Sequence, residues 1–333
     1  MIGILFAVFA GVMLGFWAMP GKFVKNYEFE NAWGVCYLFM LWIIPVILGF
    51  SLIDNFAQVL SDVGGAVLLK MLIPSFLWGV GMLLWGKAIN HIGLSLGFSI
   101  FIGTIVFIGS LLPFFIYGLP ATNVLLTILL GILVILLGIV MNGRAGILRE
   151  GNKSGEKAAG GSMMTGIIIA VVGGLLCTGF NIANEFGKEA IAVAVEKNGN
   201  ESWLTSVASM FIVYVSGGLF VIPYFLIQIT RKKMWAAFRV AEAGKNVSLA
   251  GLMAALNFTA SILFAYSAFV LGKAGGTIGY AIFNTMSVVV AVVGGIVTKE
   301  WATAKQQAKS ALYIGLAAMI IGVVIIAIGN GLA

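Results

Sequence analysis

The chain has 333 residues, 61% of them hydrophobic and only 9% charged, with a mean hydropathy of +1.10. A soluble domain carries about 25% charged residues, so there is too little polar surface here to cover a water-facing globule, and the composition calls for a bilayer as solvent. The formal charge of +7 (pI near 9.4) lies between apolar runs, where it orients loops; a nucleic-acid partner is not expected.

Ten segments approach the ~20 mainly apolar residues that a spanning helix needs: 2–19, 32–52, 67–88, 93–117, 122–142, 162–184, 203–230, 248–271, 275–298 and 309–331. The first, "MIGILFAVFAGVMLGFWAM", has no basic n-region and no small-residue cleavage site, so it reads as a retained span rather than a signal peptide. Cys36 and Cys177 sit inside spans two and six as buried thiols, with no disulfide framework implied. His91, the single histidine, falls in a short turn after span three and reads as an interfacial residue rather than a proton relay. The runs are too long and uniformly apolar for the ~10-residue alternating strands of a barrel. The expected fold class is therefore an all-α membrane protein of ten transmembrane helices.

Between spans five and six lies the one long interior polar stretch, "NGRAGILREGNKSGEKAAGG". It divides the chain into residues 1–142, a cytoplasmic linker at 143–161, and residues 162–333. The two parts echo one another. Gly93-x3-Gly97-Phe98-x-Ile100-Phe101 matches Gly275-x3-Gly279-Tyr280-x-Ile282-Phe283 at an offset of 182. Gly131 and Gly138 match Gly315 and Gly322, Pro45 matches Pro223, and Gly15-Phe16 with Gly21-Lys22 matches Gly179-Phe180 with Gly187-Lys188, in order and at offsets of 164 to 184. Small-xxx-small motifs also recur wherever helices pack closely, but the ordered set points to a duplicated five-helix unit. An odd number of spans per unit makes the second copy enter from the opposite side. Such inverted repeats are a mark of secondary transporters, whose substrate site lies near the midplane between the repeats.

Basic residues set the orientation. Lys22, Lys25, Lys87, Arg144, Arg149, Lys153, Lys157, Arg231, Lys232, Lys233, Arg239, Lys245, Lys299, Lys305 and Lys309 make 15 on one side, against 4 (Lys70, Lys188, Lys197 and Lys273) on the other. Cytoplasmic loops carry the basic excess, so both termini are expected outside the plasma membrane.

No phosphate-binding loop, metal-ligand cluster or nucleophile–base pair is present, and neither an enzyme, a metal nor a cofactor is expected. Polar side chains inside spans are costly unless they face a bundle interior or cavity. Asn181, Asn257 and Asn284 are candidates for substrate binding, with interhelical hydrogen bonding as the alternative role. Among the aromatics, Trp17, Trp78 and Tyr280 join them, because rings beside a few amides suit an uncharged polar ligand such as a sugar. Glu185, four residues after Asn181 and so on the same helical face, is the proton-coupling candidate; its place at the outer edge of span six, near Lys188, better suits a solvated or ion-paired charge. The expected partners are a small sugar or polar metabolite, protons and membrane lipid, with the oligomeric state left open.

The stretch "FWAMPGKFVKNYEFENAWGV", with Pro20, Lys22, Val24, Lys25, Glu30 and Trp33, resembles the corresponding region of the L-rhamnose:proton symporter family within the drug/metabolite transporter superfamily. "WGVGMLLWGKAINHIGLSLGFSIFIGT" and Lys299-Glu300-Trp301 are similar to that family as well. The resemblance implies sugar uptake into a bacterial cell, across its inner membrane, driven by a proton gradient. Two departures bear on the substrate: Met82 and Leu84 stand where the family's pattern has asparagines, and Glu185 where it has a neutral amide. They leave a second reading open, a drug or metabolite exporter or an uncoupled facilitator of the same superfamily.

Overall fold

A computed structural model describes residues 2–92, 94–150, 163–299 and 301–331. Among them there is no strand. The helices are α1 (Ile2–Phe16), α2 (Phe29–Leu38), α3 (Ile44–Leu52), α4 (Phe56–Val63), α5 (Gly65–Ile92), α6 (Leu94–Leu111), α7 (Pro113–Tyr117), α8 (Thr122–Glu150), α9 (Met163–Cys177), α10 (Gly179–Lys197), α11 (Leu204–Arg231), α12 (Ala243–Val270), α13 (Tyr280–Val297) and α14 (Gln306–Gly331). Ten stretches are long and apolar enough to cross a membrane, from Ile2–Phe23 to Gln306–Gly329. The outer faces carry exposed Leu, Ile, Val and Phe side chains, such as Phe9, Leu133 and Ile314. That is the inverse of a water-soluble surface and suits lipid.

Several spans are broken where the sequence reading draws them whole. In the second, a π-helical turn at Phe39–Ile43 precedes Pro45; proline lacks an N–H and its ring crowds the previous turn, and the wider turn absorbs this. The sixth breaks at Thr178, between α9 and α10, where Gly179 lies against the Pro74 backbone of α5. The ninth opens with a 3-10 turn at Gly272–Ala274 and a π-helical turn at Gly275–Gly279 before α13 begins. Glycine at Gly272, with φ +59°, allows that left-handed step.

Three boundaries also differ from the sequence reading. The sixth span does not end at residue 184: α10 runs to Lys197, which carries Glu185 into the packed interior. His91 lies in the last turn of α5, not in a loop. Residues 143–150, read as the start of the linker, continue α8, because Ala145 packs with Ala311 and Leu312 of α14. The rest of that linker, with Lys153 and Lys157, lies outside the described residues, as do Gly93, Glu300 and both terminal residues.

Contacts between loops sort the molecule into two ends. At one end, Lys25 pairs through its backbone with the Asn246 amide, Asn26 donates to Glu242, and Lys232 is bonded to Glu30, joining the 1–2 and 7–8 loops. At the other, Asp62 accepts from Lys197 and Asn198, and the Asp54 backbone pairs with the Asn200 side chain, joining the 2–3 and 6–7 loops. Lys188 meets the 8–9 connection at that same end. This alternation is what ten successive crossings produce.

Helix packing rests on small residues that let backbones approach. The longest pairing is α8 with α14. A Cβ at Gly138 would stand 2.7 Å from the Gly315 carbonyl oxygen, and one at Gly315 2.8 Å from that of Gly138; Gly131 and Gly322 face each other in the same way, at 3.0 and 2.8 Å. Other close pairs are α5 with α9, α1 with α12, α6 with α9 and α1 with α13.

Candidate functional site

A cavity of about 360 Å³ lies among the helices, at the small end of the ~300–1,000 Å³ usual for ligand pockets. Its wall is largely aromatic. Trp17, just beyond α1, meets Trp33 of α2 edge to face at 5.4 Å, and Trp33 is 5.6 Å from Tyr37, one helical turn on. Trp78 of α5 packs on Tyr214 of α11 at 5.0 Å and on Phe180 of α10 at 5.4 Å. Glycine makes room for that indole: a Cβ at Gly217 would fall 2.7 Å from the Trp78 ring. Phe283 of α13 stacks on Phe264 of α12 at 4.8 Å and completes the wall beside Tyr280.

Polar groups are few and grouped. The Tyr214 hydroxyl donates to Asn257 Oδ1 at 2.7 Å and is hydrogen-bonded to Ser261 Oγ, one turn further along α12. With its oxygen so engaged, Asn257 keeps its NH₂ for the cavity. Asn284 donates from Nδ2 to the Tyr280 carbonyl at 2.9 Å, and Ser287 Oγ donates to the Asn284 carbonyl at 2.7 Å. No Asp, Glu, Lys, Arg or His side chain is among the described residues on the wall. Rings that cover C–H faces, beside amides and hydroxyls that bond O–H groups, form a site for an uncharged polar molecule, and fixed charges of either sign find no counter-ion there.

Five of the six candidates for substrate binding, Trp17, Trp78, Asn257, Tyr280 and Asn284, line this cavity. Asn181 does not. Its Nδ2 donates to the Gly109 carbonyl of α6 at 3.0 Å and to the Gly276 carbonyl at 2.7 Å, so it ties α6 to the broken start of the ninth span. Glu185 is also off the wall. It is 4% exposed and ion-paired with Lys188 at 2.7 Å, a turn along α10, so it is no solvated edge charge. Lys188 in turn donates to the Gly272 carbonyl at 2.7 Å and lies 5.5 Å from the centre of the Tyr117 ring.

The sequence reading missed Tyr214, Ser261, Trp33 and Tyr37. Two of these carry a spacing signal. Ser261 follows Asn257 by four residues, and Tyr37 follows Trp33 by four, which in a helix stacks each pair on one face. Tyr214 carries none, because its hydroxyl acquires a role only from the neighbour that tertiary packing gives it.

The model of the L-rhamnose-proton symport protein (RhaT) family matches residues 1–333. The L-rhamnose-proton symporter of Escherichia coli (strain Crooks) is 27% identical over 322 residues, 93% of this chain and 92% of that protein. The L-rhamnose-proton symporter of Yersinia pestis (strain Pestoides F) is 25% identical over 342 residues, 98% of this chain and 97% of that protein. A chain with ten candidate spans, whose described residues form no strand and enclose a cavity without charged side chains, and which that model matches end to end, belongs to the L-rhamnose-proton symport protein family, a family of transporters rather than enzymes.

Proposed function

We propose that this protein takes up L-rhamnose, or a closely similar sugar, together with protons by alternating access in a bacterial inner membrane, with both termini outside. The observation that carries the reading is the cavity, with its aromatic walls, its Tyr214–Asn257–Ser261 cluster and its lack of fixed charge. Trp17, Trp78, Asn257, Tyr280 and Asn284 bind the sugar, together with Tyr214. Glu185 is the proton-coupling residue and acts from outside the cavity.

Two inverted five-helix repeats, of the kind found in the drug/metabolite transporter superfamily, give the site its symmetry. The reciprocal glycines support this: Gly131 and Gly138 match Gly315 and Gly322 in sequence, and each meets the counterpart of the other, as two copies related by a two-fold axis must. So does a second pair of contacts. A Cβ at Gly11 of α1 would lie 2.6 Å from the Phe283 carbonyl oxygen, and one at Gly174 of α9 2.8 Å from that of Phe101, the residue that Phe283 matches.

The test is transport by purified protein in liposomes. Addition of L-rhamnose to a weakly buffered suspension is expected to alkalinise the medium, and an imposed proton gradient to drive accumulation. Exchange of the sugar with no proton movement would favour the uncoupled facilitator, and no flux would overturn the reading.

A further inference from the structure

The broken connection into α13, Leu271–Gly279, is held from one side by α10. Asn181 bonds the Gly276 carbonyl, Lys188 bonds the Gly272 carbonyl, and Glu185 packs on Gly276, where a Cβ would fall 2.7 Å from the carboxyl carbon. Beyond this joint, α13 carries Tyr280, Phe283 and Asn284 to the cavity wall. The cavity extends the opposite way, toward Trp17, Ala18 and Trp33 near the 1–2 loop. The Glu185–Lys188 pair thus sits where the molecule is closed, with side chains 0% and 5% exposed.

We propose that the Glu185–Lys188 pair is a proton-operated latch on this glycine joint. While Glu185 is ionised, Lys188 is neutralised and can stay buried on the Gly272 carbonyl. When the carboxylate takes a proton from water at that end, it becomes a neutral acid, and Lys188 keeps a positive charge with only a carbonyl and the Tyr117 ring to receive it. A buried charge that loses its partner is strongly unfavourable, so Lys188 turns to solvent and releases Gly272. The joint then swings, and α13 opens the cavity at this end. Re-formation of the pair closes the end and displaces the proton. The titratable groups that face Glu185 are Lys188 and Glu189 on its own helix and Tyr117 on α7; Lys70 of α5 and Lys273 of the joint are exposed. The latch rests on the reading of Glu185 as the coupling residue and gives that residue its means of action.

Distances between spin labels at Lys273→Cys and Glu196→Cys, both exposed at this end, test it by pulsed electron resonance. The protein is otherwise cysteine-free (Cys36→Ser, Cys177→Ser) and held in lipid nanodiscs. A single short-distance population is expected at pH 8, and a second, longer one at pH 5. Glu185→Gln should show the longer population at both pH values. Glu185→Gln/Lys188→Met, which leaves no buried charge and keeps the test open should the single variant fail to fold, should show no pH dependence. Glu189→Gln should retain the shift. Identical distributions at both pH values in the parent, or a pH shift that survives in either Glu185→Gln protein, would overturn the latch. Since no sugar is present, these outcomes are independent of L-rhamnose-driven proton uptake, which alone tests the transport reading.

Discussion

Asn181 and Asn284 are the same residue type, both inside spans of the second half of the chain, yet the fold gives them different work. Asn181 spends its amide on two backbone carbonyls, while Asn284 bonds one carbonyl of its own helix and stays on the cavity wall. Asn181→Leu is therefore expected to cost about 1–3 kcal/mol of stability, the usual result of leaving buried partners unsatisfied, with L-rhamnose affinity unchanged in the folded fraction. Asn284→Leu is expected to weaken binding about tenfold, the worth of roughly 1.4 kcal/mol, with little change in melting temperature. Calorimetric binding and thermal melting on the same monodisperse samples check both. Unaltered affinity in Asn284→Leu would remove α13 from the sugar site. At this scale the sequence marks residues that are out of place in lipid, but it cannot say whether a carbonyl or a ligand answers them.

The α8–α14 seam shows how an element's fate is decided by its partner. Each helix is apolar all round across its span, so hydropathy alone does not single out a buried face. The glycines do, because a close approach is possible only where both helices lack side chains. Gly138→Ala and Gly315→Ala should each destabilise by about 1–3 kcal/mol, as overpacking usually does, since the added methyl meets backbone that cannot rotate away. The double variant should cost less than the sum, because one displacement of the helices relieves both contacts. Additive losses in thermal melts would show that the two positions do not share a contact. The interruptions at Pro45 and Thr178, and in Leu271–Gly279, were only partly readable. Proline announces a break by its missing donor, whereas the π-helical turn at Gly275–Gly279 has its Gly276 carbonyl held by Asn181 of α10, which also bonds the Gly109 carbonyl of α6.

Across the whole molecule, charge divides the two ends. The 15-to-4 basic asymmetry predicts that a C-terminal reporter active only in the cytoplasm stays silent in cells, and a strong signal would reverse the orientation. The sparsely basic end is stitched by Asp62. Hydrogen bonds from Asn198, Lys197 and Gln58 hold its carboxyl below the ordinary carboxylate range. A lowered value means stability that is present above the unfolded value, about 3.9, and is lost as the pH falls through the folded one. Asp62→Asn should thus melt below the parent at pH 7, and the gap should close as the pH drops below about 4. A gap that persists in acid would assign the loss to packing.

Composition and hydropathy alone determined that this is a ten-span helical membrane protein, because insertion into lipid depends on the length and apolarity of each segment taken separately. The ordered glycine echoes, legible in sequence, marked which faces would meet. Only the tertiary structure decided that five aromatic and amide candidates share one cavity while Asn181 and Glu185 stand outside it. Within a span every polar side chain looks equally misplaced, and whether it faces ligand, backbone or a counter-charge depends on helix rotation and on breaks such as Thr178, which are set by packing between segments remote in the chain.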